Sequence, residues 1–223
     1  MQCRLVAQNE DFIVALKPPG ISVHSEEGVA GFCVQLEAHC QQSLFMVHRL
    51  DKMTSGLMLF AKRASVAAQL GQQFAERRVD KFYLAMSDRK PRKKQGSIKG
   101  DMQRARRGCW RLSEGRDNPA VTRFFSAACH GRRLFILKPE TGKTHQLRVA
   151  LKSVGAPILG DDRYQGAVAD RGYLHAWQLH FELGAQRFSY IADPLWGEYF
   201  SGDAFLAQLE CWRDVYALPW PGR

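Results

Sequence analysis

The apolar residues of this chain fall in short runs whose periods do not alternate regularly, and this patterning constrains the fold more than any other feature. Phe12–Leu16, Leu57–Ala61, Phe82–Met86 and Leu134–Leu137 are apolar runs of strand length, the first closed by the turn-forming Lys17-Pro18-Pro19-Gly20. Ile21–His24 is expected as a further extended piece, and Leu174–Phe181 and Arg187–Ala192 as two antiparallel strands. Helical spacing appears at Val66, Leu70 and Phe74, with Ser65 as the expected N-cap. It returns at Leu147, Leu151 and Val154, with Gly155 placed for a left-handed C-cap, and at Phe205, Leu209 and Trp212. Strands and helices mix without β-α-β alternation, which predicts an α+β fold: a mixed, largely antiparallel sheet with flanking helices. No linker-like stretch interrupts the chain, so residues 1–223 are expected to form a single domain.

Hydrophobic residues make up 45% and charged residues 24% of the 223 positions, a globular balance that excludes a disordered chain, a collagen-like repeat and a coiled coil. No apolar run approaches the roughly 18 residues of a membrane span, and the N-terminus has no apolar secretion core, so a cytoplasmic protein without membrane association is expected. The six cysteines include no Cys-x-x-Cys pair and read as reduced, small apolar side chains rather than metal ligands.

The net charge of +10 is concentrated in one place. Between Arg77 and Arg116 stand 14 Lys or Arg against four acids, while the rest of the chain carries 18 of each sign. A basic block confined to one stretch points to a polyanion met on one side, and nucleic acid fits better than a membrane because no amphipathic apolar face accompanies it.

Two segments are polar where apolar residues would serve stability better. His48-Arg49-Leu50-Asp51 through Thr54-Ser55-Gly56 sets a lone carboxylate beside two bases in a turn ending at glycine. Glu140 to Arg148 opens the second periodic segment, where a helix start presents unpaired N–H groups. Arg148 adjoins Leu147 on the apolar stripe, so its guanidinium can turn inward only if an anion meets it. Phosphate-loop, dinucleotide, nucleophile-elbow and zinc-protease motifs do not occur. Asp161-Asp162 beside Arg163 reads as a turn-stabilising cluster, and the odd spacing of His175 and His180 sends them to opposite strand faces. No metal and no organic cofactor are expected.

The string His48-Arg49-Leu50-Asp51, with Thr54-Ser55-Gly56 and Ala61-Lys62, resembles the signature of the RluA-type pseudouridine synthases. Lys17-Pro18-Pro19-Gly20-Ile21-Ser22-Val23-His24, Lys81-Phe82-Tyr83-Leu84-Ala85, Thr141–Val149, Pro157–Asp161 and Leu174-His175-Ala176 resemble further motifs of that family, in family order. Lys143 stands where the family usually has arginine, and Ala150 where it often has histidine. The RNA-binding module that longer members carry ahead of the catalytic domain has no room here, so substrate choice is expected to rest with the catalytic domain.

The resemblance implies the pseudouridine synthase catalytic fold and a reaction in which uracil leaves its ribose, rotates and rejoins through carbon, with no cofactor. It implies Asp51 as the catalytic carboxylate, attacking the sugar C1′ or uracil C6 or stabilising the detached base, three roles that the residues leave open. Arg148 matches the arginine that pairs with that aspartate, and Tyr83 the active-site tyrosine whose ring stacks on uracil and whose hydroxyl is placed for proton transfer at the sugar C2′. Arg49 is implied to fill the gap left by the flipped nucleotide. His48 and Thr54 shape the loop or touch RNA, Lys81 contacts a phosphate, and Leu147 lines the uracil pocket or belongs to the core. Lys93, Lys94, Arg104, Arg106 and Arg107 would grip RNA backbone, with Trp110 stacking on a base or anchoring the stretch. The expected protein is an isomerase acting on a structured stem or loop of ribosomal or transfer RNA, monomeric and with no obligatory protein partner. An RNA-binding protein without catalysis, or a nuclease or base-excising enzyme, is the alternative.

Overall fold

The computed structural model describes residues 3–222. In chain order they form β1 (Arg4–Gln8), β2 (Phe12–Lys17), α1 (Phe32–Cys40), β3 (Phe45–Met46), β4 (Ser55–Ala61), α2 (Ala64–Ala75) and β5 (Asp80–Ser87). Then follow β6 (Gln95–Arg104), β7 (Trp110–Ser113), β8 (Pro119–Cys129), β9 (Arg132–Pro139), α3 (Gln146–Ser153), β10 (Leu174–Leu183), β11 (Gln186–Ile191) and α4 (Asp203–Trp212). A single 3-10 turn lies at Asp162–Tyr164. The fold is α+β: β1–β2, β2–β4, β3–β4, β10–β11, β5–β9, β8–β9, β6–β8 and β6–β7 pair antiparallel, and β4 pairs β10 in parallel. By internal contacts the chain divides into two compact units, Met1–Lys81 with His175–Pro194, and Phe82–Leu174 with Leu195–Arg223.

In the first unit β2 lies between β1 and β4, and β4 also pairs β10, which carries β11. Every residue of β2 and β4 is buried, the reason both read as continuous apolar runs rather than alternating ones. Phe12, Val14, Leu57 and Leu59 pack with Val66 and Leu70 of α2 and Phe181 of β10, and the opposite face carries Phe60 against Phe32 of α1. Gly56 takes φ 117 and lies against β10, where a Cβ would come within 2.2 Å of the Ala176 carbonyl oxygen.

In the second unit β5, β9, β8, β6 and β7 pair antiparallel in that order. The end of β6 runs on with β7 as a two-stranded ribbon, pairing Arg104 with Trp110. Phe205, Leu209 and Trp212 of α4 are buried as their spacing predicts. α3 ends in a full Schellman motif: Gly155, φ 84, donates to the Lys152 carbonyl and Ala156 to that of Leu151, each at 3.0 Å.

Two local expectations need correction. Ile21–His24 joins no strand; the Ser22 and Val23 carbonyls instead accept the Phe32 and Cys33 amides at the start of α1, at 2.8 and 3.2 Å. Ser65 does not cap α2, whose N-cap is Arg63 with no side-chain hydrogen bond. β1, α1, β3 and β8 are not expected from the sequence: β1 and β3 are short, α1 buries only Phe32 and Leu36, and the small residues near the end of β8 blur its alternation.

Candidate active site

The Asp51 loop is built from its backbone outward. Lys17, fully buried at the end of β2, has its ammonium met by three carbonyl oxygens, those of Pro18 at 2.8 Å, Ile21 at 2.7 Å and Lys52 at 3.2 Å. The Gly20 amide donates to the same Lys52 carbonyl at 2.9 Å, and the Thr54 amide to the Asp51 carbonyl at 3.0 Å. A buried cation is tolerable when its donors are satisfied, and here its carbonyl partners join the Pro18–Ile21 turn to the loop. Leu50 is buried, Asp51 half-buried, Arg49 exposed and Thr54 buried. Where the loop enters β4, Ser55 Oγ lies 2.8 Å from His175 Nδ1, and His175 Nε2 lies 2.7 Å from the Ala192 carbonyl. The carbonyl requires the proton on Nε2, leaving Nδ1 to accept the serine hydroxyl. His175 therefore locks this end of the loop.

His48 stacks on Phe74, 4.8 Å between centroids, and the Lys81 ammonium lies 5.4 Å from that same ring. The Leu59 amide donates to His48 Nε2 at 2.9 Å. Burial, with the nearby Lys81 charge, lowers the His48 pKa to about 3, so the ring is neutral and carries its proton on Nδ1. Burial also lowers the pKa of Lys81. His48, Phe74 and Lys81 thus come together within the first unit, whereas Arg49 points to solvent.

In the second unit Tyr83 sits on β5 opposite Leu137 of β9, its side chain buried. Leu147 and Arg148 occupy the first turn of α3, both buried. The entry to that helix is held by Gln146: its Oε1 accepts from Thr141 Oγ1 at 2.6 Å and from the Lys143 amide at 3.0 Å, and its Nε2 donates to the Val121 carbonyl and Thr122 Oγ1, both at 3.0 Å. Arg148 is met by an anion, as its inward position demands. Its Nε donates to Asp161 Oδ2 at 2.7 Å and its Nη2 to Asp161 Oδ1 at 2.8 Å, a bidentate pair buried on both sides. Asp161 is therefore not part of a turn-stabilising carboxylate cluster; that local role falls to Asp162, whose Oδ1 accepts the Arg163 amide at 2.7 Å.

The basic residues occupy two places. Lys93 and Lys94 are exposed just ahead of β6, while Arg104, Arg106 and Arg107 are exposed at the far end of the β6–β7 ribbon. Arg107 takes a left-handed conformation, φ 56, followed by Gly108 at φ 69, which closes the tip tightly. The Arg104 guanidinium lies 5.6 Å from the half-buried Trp110 ring. Sequence reasoning assigns no role to Gln146, Tyr164 or the Ser55–His175 pair. No single-residue signal marks them, because each depends at least in part on partners remote in the chain.

Residues 11–153 match the family model described as RNA pseudouridylate synthase, a span that includes Asp51, Tyr83 and Arg148. An uncharacterized RNA pseudouridine synthase of Haemophilus influenzae is 45% identical over 214 residues, covering 94% of this chain and 96% of that protein. Ribosomal large subunit pseudouridine synthase D of Borreliella burgdorferi is 33% identical over 204 residues, covering 82% of this chain and 62% of its own length. The chain thus spans nearly the whole of the first relative and a little under two thirds of the second. Among solved structures, human RNA pseudouridylate synthase domain containing 1 superposes with a TM-score of 0.77 at 25% identity, covering 99% of this chain and 97% of that one. No helix among the described residues is long and apolar enough to cross a membrane.

Proposed function

The chain belongs to the RluA-type RNA pseudouridine synthases, isomerases that convert uridine in RNA to pseudouridine, and we propose that it acts in the cytoplasm, as a monomer, on a structured stem or loop of ribosomal or transfer RNA with Asp51 as the working carboxylate. In the reaction the N1–C1′ bond breaks, the base turns, a C5–C1′ bond forms, C5 gives up its proton and N1 takes one. That sequence calls for an anionic nucleophile or transition-state stabiliser beside the glycosidic bond. The observation that carries the reading is the loop itself: its backbone is tied at Lys52 by Lys17 and Gly20 and at Asp51 by Thr54, so the carboxylate rises from a preorganised turn.

Arg148 is the cation assigned to pair with and orient the carboxylate, and Tyr83 the ring that stacks on the uracil. Arg49 is exposed and free of the core, suited to entering the space a flipped nucleotide leaves. Lys81 meets a phosphate, Leu147 borders the base, and His48 and Thr54 shape the loop. Lys93, Lys94, Arg104, Arg106 and Arg107 hold flanking backbone without reading sequence.

Asp51→Asn is expected to lower the isomerisation rate by at least ~1000-fold while RNA binding changes by less than about threefold, as for a residue acting only in the transition state. Tritium release from RNA labelled at uridine C5 gives the rate, and filter binding gives the affinity. Retained tritium release in the variant would remove Asp51 from the chemistry.

A further inference from the structure

The residues from Gly160 to Gly166 form a turn whose conformation is over-determined. Gly160, at φ 76, donates to the Ala167 carbonyl at 2.8 Å, and a Cβ on it would lie 1.8 Å from the Arg171 carbonyl oxygen. A Cβ on Gly166 would lie 1.9 Å from the Ile158 carbonyl oxygen, and the Tyr164 and Gly166 amides both donate to the Asp161 carbonyl, at 3.2 and 2.8 Å. Between these glycines the side chains reach in two directions. Asp161 takes two donors of the Arg148 guanidinium, and the Tyr164 ring lies 4.9 Å from the same group. The Tyr164 hydroxyl accepts the Trp110 amide of β7 at 2.9 Å and lies 2.8 Å from His145 Nδ1. His145 holds a left-handed backbone, φ 56, immediately before α3. Arg163 adds two ties to the ribbon tip: its Nη1 donates to the Gly108 carbonyl at 3.2 Å, and its own carbonyl accepts Cys109 Sγ at 3.7 Å.

We propose that this turn is a clasp that aims Arg148 and couples its position to the basic ribbon, with Asp161 and Tyr164 as positioning residues. Asp161 sets the plane of the guanidinium through the bidentate pair. Tyr164 connects the ribbon backbone, the first residue before α3 and the face of the guanidinium through one side chain. When phosphates load Arg104, Arg106 and Arg107, any displacement of the tip passes through Gly108 and Trp110 into the turn, and from there to Arg148. Asp161 and Tyr164 both lie beyond residue 153, where the match to the family model ends. The inference rests on the reading of Arg148 as a working group of the isomerisation.

The test uses single-turnover tritium release at saturating RNA, with total RNA labelled at uridine C5 and taken from cells lacking this protein. Tyr164→Phe keeps the ring on Arg148 and removes only the hydroxyl. It is expected to slow the single-turnover step about 10-fold, in line with the cost of a sub-ångström misplacement, with RNA affinity held within about twofold. The double variant Arg106→Gln, Arg107→Gln is expected to slow the same step at saturating RNA. Added to Tyr164→Phe it should cause no further loss, because the coupling has already been cut. Asp161→Asn is expected to lower the rate at unchanged affinity; should it fail to fold, Tyr164→Phe carries the test. Rates that multiply in the combined variant, or a wild-type rate in Tyr164→Phe, would overturn the clasp. Arg148→Gln separates the two claims. If it retains the wild-type rate, the reading of Arg148 falls; if it is inactive while Tyr164→Phe and Asp161→Asn match wild type, only the clasp falls.

Discussion

The Leu59 amide donates to His48 Nε2, so protonating that nitrogen would set two hydrogens against each other inside the stack with Phe74. Burial and the Lys81 charge hold the pKa near 3, against about 6.5 in an unfolded chain. The unfolded state therefore binds a proton below pH 6.5 that the folded state refuses. Stability is full above that pH and falls as pH drops towards the folded value, by no more than about 1.4 kcal/mol per unit. Between pH 7 and 5, above the range where carboxylates titrate, the wild-type melting temperature is expected to fall further than that of His48→Gln. Parallel melting curves across that window would show that His48 does not carry the acid sensitivity. The same residue illustrates what one position reveals by itself. Its place beside Arg49 and Asp51 leaves loop-shaping and RNA-touching readings both open, and its neighbours in space make it a neutral acceptor.

Among the elements, β2, β4 and α3 are legible in the sequence because their burial follows a local rule. Continuous apolar runs become strands buried on both faces, and Gly155 ends α3 in the conformation expected of it. Ile21–His24 misleads for a complementary reason: its apolar residues suggest a strand, but its carbonyls are taken by the first amides of α1. The basic stretch, whose composition suits a long hairpin or a pair of loops, holds the β6–β7 hairpin, whose tip carries Arg106 and Arg107 exposed. Exposed cations gain affinity for RNA by releasing its counterions, so replacing Lys93, Lys94, Arg106 and Arg107 by Gln is expected to weaken binding at low salt. It should also flatten the dependence of log Kd on log salt by up to about 0.7 for each phosphate no longer neutralised. Filter binding across a salt series measures this, and an unchanged slope would place the block away from RNA.

At the scale of the whole chain, all of the excess charge lies in the 77–116 stretch and the remainder is neutral, so the proposed electrostatic hold on RNA is expected to depend on that segment. Mapping pseudouridines across the RNA of cells lacking this protein is expected to reveal one or more missing sites, restored by the wild-type chain and not by Asp51→Asn. An unchanged map would refute the proposed ribosomal or transfer RNA substrate. What the sequence by itself determined was whatever is written in neighbouring residues: the period of the apolar runs, the glycine that closes α3, the placement of the charge and the ordered motifs that mark the family. Only the tertiary structure decided which groups satisfy one another. Arg148 finds Asp161 across 13 residues, Tyr164 meets the Trp110 amide across 54, and Ser55 meets His175 across 120. A charge or polar atom removed from water must be paired with whatever the fold brings within hydrogen-bonding distance, and separation along the chain carries no record of that distance.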